Sequence, residues 1–132
     1  MIFADTSFWV GILSPGDDRH RDAVALLRTY GGASVVTSNH VRGETWTFLR
    51  RRAGHDAAVA FLDRLAKSAL VRTVFVDEEL ESAALRWLRR HDERRYSFVD
   101  ATSFALMKSL RIREALAFDE DFAAAGFVEL RP

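Results

Sequence analysis

Apolar and polar positions along the chain fall into two alternating kinds of run. Short runs rich in β-branched and aromatic residues occupy Met1 to Asp5, Ala33 to Thr37, Val71 to Val76, Glu114 to Phe118 and Phe127 to Leu130. These predict strands, the last of them at an edge. Between them, apolar residues recur at helical spacing. Thr6 to Leu13 predicts a short helix or turn closed by Ser14-Pro15-Gly16, and Asp17-Asp18 opens a helix carrying Ala23, Leu26, Leu27 and Tyr30 that ends at Gly31-Gly32. Ser38 is placed to cap a helix running through Arg52, closed by Gly54. Two further amphipathic helices follow, Asp56 to Leu70 (Ala58, Phe61, Leu62, Leu65 and Ala66 inward) and Asp77 to Asp92 (Leu80, Ala84, Trp87 and Leu88 inward). A helix led by Ser97 and a short turn at Ala123 to Gly126 complete the set. Strands alternating with helices predict an α/β fold, with a mostly parallel central sheet of four to five strands and helices on both faces. No linker or repeat interrupts residues 1–132, so one domain is expected.

Against this pattern, four carboxylates stand out. The first strand stops on Asp5 and the fourth is followed by Asp119. Asp5 suits two roles, capping the helix at Thr6 or presenting an oxygen to a ligand in the crevice at the carboxyl ends of parallel strands. Glu44 falls on the stripe of Val41, Phe48 and Leu49, where a carboxylate costs free energy unless it pairs with an arginine such as Arg51 or Arg52 or binds a metal. Asp100 completes an S-x-x-D capping box with Ser97, yet also heads the apolar stripe of Phe104, Met107 and Leu110. In a parallel sheet all four map to one edge.

Composition narrows the chemistry. The chain is 48% hydrophobic and 29% charged, which fits a globular domain and not a disordered one. Cysteine is absent, which excludes disulfides and thiolate metal sites and fits a reducing, cytoplasmic setting. No run approaches the length of a membrane span, so no membrane partner is expected. Net charge is zero, with 19 basic and 19 acidic residues, but arginine outnumbers lysine 17 to 2. The arginines cluster at Arg50-Arg51-Arg52 and at Arg86, Arg89, Arg90, Arg94 and Arg95. Guanidinium forks suit phosphates. The same runs also fit solvated helix faces paired with Glu78, Glu79, Glu81, Asp92 and Glu93.

Four ionised carboxylates sharing a pocket raise one another's pKa. Either some are protonated, or a hard divalent cation sits among them. With oxygen ligands only, and His20, His40, His55 and His91 scattered outside the motifs, the cation expected is Mg²⁺ or Mn²⁺ in preference to Zn²⁺. Such an ion activates water and polarises a phosphoryl oxygen, so phosphodiester hydrolysis is the expected reaction class. Direct attack by water predicts 5′-phosphate and 3′-hydroxyl ends.

Together, Phe3-Ala4-Asp5-Thr6-Ser7, Glu44, Tyr96-Ser97-Phe98-Val99-Asp100-Ala101 and Ala117-Phe118-Asp119-Glu120-Asp121-Phe122 resemble the PIN-domain ribonucleases, in particular the VapC toxins of bacterial toxin–antitoxin pairs. The resemblance spans essentially the whole chain in order. It implies a Mg²⁺- or Mn²⁺-dependent endoribonuclease with Asp5, Glu44, Asp100 and Asp119 as its acidic cluster. It also implies Thr6 or Ser7 supporting that cluster from behind, a homodimer, and inhibition by a small antitoxin protein. Many relatives carry Thr or Ser where this chain has Ala117; Asp121 stands close enough to substitute or assist. Basic residues around Arg50 to Arg52 and Arg86 to Arg95, with Arg50, Arg51, Arg52, Arg89 and Arg90 foremost, are the candidates for holding the RNA backbone, with single-stranded loops the expected target. The alternative is a non-catalytic Mg²⁺-binding α/β module or RNA-binding regulator. A signalling receiver needs a late lysine where only Lys67 and Lys108 exist, and an aspartate-nucleophile phosphatase needs a second Asp where Ser7 stands.

Overall fold

The computed structural model describes all 132 residues. In chain order the elements are β1 (Ile2–Ala4), α1 (Thr6–Leu13), α2 (His20–Tyr30), β2 (Val35–Ser38), α3 (Asn39–Arg52) and α4 (His55–Lys67). There follow β3 (Val71–Val74), α5 (Glu78–Arg90), α6 (Phe98–Ser109), β4 (Glu114–Leu116), α7 (Asp121–Ala124) and β5 (Val128–Glu129). The five strands form one sheet in the order β3-β2-β1-β4-β5, and every neighbouring pair is parallel. The expected α/β architecture is therefore present, with the predicted edge strand realised as β5.

The strand order sets the rest. The chain moves outward from β1 through β2 to β3, then returns to the other side of β1 for β4 and β5. Because parallel crossovers are right-handed, the two directions place their helices on opposite faces. The packing follows this division: α1 meets α2 and α3, and α3 meets α4, whereas α5 packs on α6 and α6 on α7. Adjacent β1 and β4 send their outgoing connections to opposite sides, which makes their carboxyl ends the switch point where a crevice opens.

The core is built on Phe3, Val36, Ala115 and Leu116 from the sheet, with Phe8, Leu26, Leu49 and Phe61 on one side and Phe104, Leu106, Met107 and Phe122 on the other. Two side-chain hydrogen bonds tie the strand ends together. Thr37 Oγ1 donates to the Ala4 carbonyl at 2.9 Å, stapling β2 to β1. Asn39 Oδ1 accepts the Val76 N–H at 2.7 Å, which fixes the exit of β3 on the start of α3. Trp87, expected in the core, packs on Tyr96 and Phe104 at 4.6 and 5.2 Å between centroids.

Three expectations change in detail. The stripe of α3 is Val41, Thr45 and Leu49, at strict i, i+4, i+8 spacing, and Phe48 is 41% exposed. Leu62 and Ala66 of α4 face outward, so Ala58, Phe61 and Leu65 alone are buried on that helix. The second helix begins at His20, three residues later than its acidic opening suggested, because Asp17 accepts the Arg19 N–H in a turn of its own.

Candidate active site

Asp5 follows β1 directly. It caps α1, its Oδ2 accepting the Ser7 N–H at 3.2 Å, so the capping role expected for it holds. The same oxygen accepts the Ser7 hydroxyl at 2.8 Å. That hydroxyl in turn accepts the Phe118 N–H at 3.1 Å, a bridge from the end of β1 to the segment after β4. Ser7 thus closes the switch point with one side chain and sets the approach of Asp119 to Asp5.

Asp100 enters from α6. The capping box is complete: Ser97 Oγ accepts the Asp100 N–H at 2.9 Å, and Asp100 Oδ2 accepts the Ser97 N–H at 3.1 Å. Phe104 and Met107 anchor the helix in the core and turn its first residues toward the crevice. Glu44 lies in the second turn of α3, not at its start, and is half-buried. No arginine pairs with it; Arg52 Nη1 instead reaches Asp17 Oδ2 at 3.4 Å.

Asp119 comes from the turn between β4 and α7, and Asp121 is the first residue of α7. Asp119 Oδ1 accepts the Asp121 N–H at 3.2 Å, and Glu120 between them adopts φ 66°, a left-handed conformation that wraps the turn around the site. Arg94 donates to Asp121 Oδ1 at 2.9 Å, so Asp121 joins the cluster with a counter-charge already attached. Carboxylate oxygens of Asp100, Asp119 and Asp121 lie within 4.8 Å of one another.

These groups line a cleft of about 490 Å³ that contains Asp5, Glu44, Asp100, Asp119 and Asp121, together with Thr6 and Ser7. The carboxylates feel one another. Asp5 is pushed up to about 8, first by burial and then by Asp119 and Asp100, against the two hydrogen bonds from Ser7. Asp119 rises to about 7; although it keeps an exposed side, loss of water toward the cleft leads, followed by Asp100 and Asp121. Asp100 rises to about 6 through burial, with Asp121 and Glu44 adding and the Ser97 hydrogen bonds opposing.

A cluster of hard oxygen donors, in which burial and neighbouring carboxylates disfavour the anions of Asp5, Asp100 and Asp119, suits a hard divalent cation. The Thr6 hydroxyl fits the same reading: it is buried in the cleft wall with no protein partner, and so offers an oxygen to a bound water or ion. The donor set contains neither sulfur nor imidazole.

The arginine candidates separate. Arg52 lines the cleft, and Arg51 borders an adjoining groove with Glu44, Thr47 and Phe48. Arg50 is exposed on α3, and Arg89 and Arg90 are exposed in the last turn of α5; none of the three lines the cleft. Arg95, at the end of the basic run Arg86 to Arg95, lines the cleft as well; Arg19 does so too and was not chosen from the sequence, and Asp17 lies beside it. The signal for Arg19 was the topology itself: a helix that feeds β2 must begin at the opposite edge of the sheet, and the loop before it returns to the carboxyl ends of the strands.

Known proteins are similar to this chain in sequence and fold. A PIN-domain family model matches residues 2–128. Over 132 residues, the whole chain, it is 56% identical to a Mycobacterium tuberculosis protein named 23S rRNA-specific endonuclease VapC20 and covers 99% of it. A VapC ribonuclease of Archaeoglobus fulgidus is 29% identical over 124 residues, 90% of this chain and 77% of that one. The crystal structure of M. tuberculosis VapC20, described as a sarcin–ricin loop cleaving toxin, matches with a TM-score of 0.94 and 55% identity, covering all of both chains. FitAcB from Neisseria gonorrhoeae shares the fold at a TM-score of 0.69 and 19% identity, with 98% of this chain and 96% of that one covered. The chain belongs to the PIN-domain family.

Proposed function

We propose that this chain is a Mg²⁺- or Mn²⁺-dependent endoribonuclease that hydrolyses 23S rRNA and acts as the toxin of a toxin–antitoxin pair. The observation that carries the reading is the convergence of Asp5, Glu44, Asp100, Asp119 and Asp121 on one cleft at the switch point, where burial first and neighbouring carboxylates second raise the pKa values of Asp5, Asp100 and Asp119. The rRNA substrate rests on full-length identity of 56% to a protein named for that activity.

Asp5 and Asp100 hold the principal cation, and Glu44 and Asp119 complete the site or recruit a second. When bound, the cation supplies an activated water and polarises the scissile phosphoryl group. The remaining work belongs to the chain. Ser7 aims Asp5 and fixes the turn that carries Asp119. Ser97 orients Asp100. Arg94 restrains Asp121, which assists the cluster without adding a full uncompensated charge. Arg19, Arg52 and Arg95 rim the acidic floor and hold the phosphates on either side of the scissile bond.

The partners follow the family. An antitoxin protein covers the cleft, and a second copy of the chain completes a homodimer; exposed Leu70, Phe75 and Leu85 are apolar side chains available to such contacts. No helix is long and apolar enough to cross a membrane, and with no cysteine to oxidise a cytoplasmic setting is proposed. The test is cleavage of labelled RNA by the purified protein in Mg²⁺ or Mn²⁺, with EDTA and Asp100→Asn as controls. Cutting that vanishes in both supports the assignment, provided the new ends carry 5′-phosphate and 3′-hydroxyl. Cutting that survives Asp100→Asn, or ends bearing cyclic phosphate, refutes it.

A further inference from the structure

Three apolar residues line the acidic cleft: Val10, Phe48 and Phe118. Val10 and Phe118 are buried at 6% and 4% exposure, and Phe118 lies beneath the guanidinium groups of Arg19 and Arg131. Phe48 differs. It is displaced from the core stripe of α3, it is 41% exposed, and it stands one turn beyond Glu44 on the wall of the cleft. It also borders the adjoining groove that runs out past Thr47 and Arg51.

The ring is held. Arg52, a turn further on, sets its guanidinium 5.4 Å from the ring centroid, and Asp17 fixes that guanidinium through the 3.4 Å ion pair. Phe48 is therefore an exposed aromatic surface, braced on one side and placed between an acidic floor and a groove containing arginine. A flat, partly exposed ring flanked by cations matches a nucleotide, whose base stacks while its phosphate meets the guanidinium groups. An unstacked base of a single-stranded loop has the free π-face such a surface needs.

Building on the endoribonuclease reading, we propose that Phe48, braced by Arg52 and Asp17, is a base-stacking platform for an unpaired nucleotide flanking the scissile phosphate. It selects looped over paired RNA and determines part of the substrate preference. The phosphate of that nucleotide lies along the Arg51–Arg52 groove.

The experiment uses a 23S rRNA fragment spanning the sarcin–ricin loop. Cleavage is measured with wild-type protein and with Phe48→Ala, Phe48→Leu and Phe48→Trp; affinity is measured in the non-cleaving Asp100→Asn background. Phe48→Ala and Phe48→Leu are expected to raise KM and Kd by roughly 10- to 100-fold with little change in kcat, while Phe48→Trp restores binding. Leucine keeps the apolar bulk and the helix but has no π-face, so a merely structural role would let it rescue. A scan of abasic positions should find one nucleotide whose base, once removed, costs wild type the same factor and costs Phe48→Ala nothing more. Equal affinity for Phe48→Ala and wild type overturns the platform, as does rescue by leucine or the absence of a coupled position. Unchanged RNA affinity with weakened antitoxin inhibition also overturns it and assigns the ring to a protein interface. Failure of the wild-type protein to cut RNA refutes the endoribonuclease reading separately, because the binding comparison still reads the stacking.

Discussion

Replacing Asp100 by Asn should stabilise the metal-free protein at alkaline pH while abolishing its response to metal. Asp100 is 7% exposed and its pKa is raised from 3.8 to about 6. Its folded-state pKa lies above its unfolded value, so the native protein holds the extra proton and stability falls as pH rises from about 4 through 6. Asp119, raised to about 7, and Asp5, raised to about 8, extend the same decline to about pH 8. About two pKa units at Asp100 correspond to about 3 kcal/mol, at 1.36 kcal/mol per unit. Asn keeps an amide oxygen for the Ser97 N–H, so the cap survives. In EDTA at pH 8, Asp100→Asn should melt roughly 10 °C above wild type, taking about 3–5 °C per kcal/mol for a chain of this size. At pH 4 the two should coincide. Divalent metal at a hundred times its Kd adds about 2.7 kcal/mol to wild type, and the variant should gain far less. Thermal unfolding by circular dichroism at pH 4, 6 and 8, with and without Mg²⁺, measures all of these. The reasoning is refuted if the variant's advantage does not grow with pH, or if metal stabilises both proteins equally.

Ser7→Ala removes two hydrogen bonds at the switch point and leaves the Phe118 N–H without its partner. It should cost about 1–3 kcal/mol in denaturant unfolding, and because Ser7 holds the Asp5 pKa down, the pH needed for half-maximal metal binding should move upward. Ser97→Ala breaks the capping box and should destabilise the protein by about 1 kcal/mol, with a larger proportional loss in cleavage rate because Asp100 loses its orientation; chemical denaturation and steady-state cleavage separate the two effects. Thr37→Val, in a fully buried staple between β2 and β1, should lower stability by about 1–3 kcal/mol yet leave kcat/KM within a factor of two once folded; a large loss of activity there would mean that the strand ends are less rigid than their hydrogen bonding implies.

The α/β class was legible because short apolar runs alternate with helical patterns; the strand order β3-β2-β1-β4-β5 was not, because it depends on which strands meet in three dimensions. Asp5, Asp100 and Asp119 were legible for a related reason: Asp5 and Asp119 follow apolar runs directly, and Asp100 heads an apolar stripe. Glu44 was placed correctly, but on a mistaken stripe. Phe48 was taken as core because phenylalanine scores as apolar wherever it stands, and only the packing of Val41, Thr45 and Leu49 shows that the helix turns Glu44 and Phe48 to the cleft together. Arg19 was missed because its approach to the site depends on where the loop after Pro15 returns in three dimensions. Arg89 and Arg90 stand in the last turn of α5, where cations favour the helix dipole, and that placement leaves a charge pattern indistinguishable in sequence from a phosphate patch.

The capping and ligating roles of the acids, weighed as alternatives in the sequence, prove to be one arrangement. Asp5 takes the first N–H groups of α1, and Asp100 completes the box that starts α6. Each is therefore held by bonds within three residues of itself, which form with the helix and need no distant partner. Those bonds lower the acids' pKa values while burial and neighbouring carboxylates raise them, so the cluster remains orderly without being electrostatically satisfied. An interior of this kind favours a cation over a proton only where the oxygens are already aimed, and the two caps do the aiming. Ser7 then extends the local order of β1 to β4, so that Asp119 and Asp121, on a turn with a left-handed residue at its centre, are brought to the site by a single hydroxyl bridge. The backbone bond from the Asp5 N–H to the Leu116 carbonyl sets the register of the two strand ends, and the Ser7 bridge is the side-chain link that ties the Asp5 carboxylate itself to the segment carrying Asp119, which is why its loss should alter metal binding beyond its cost in stability.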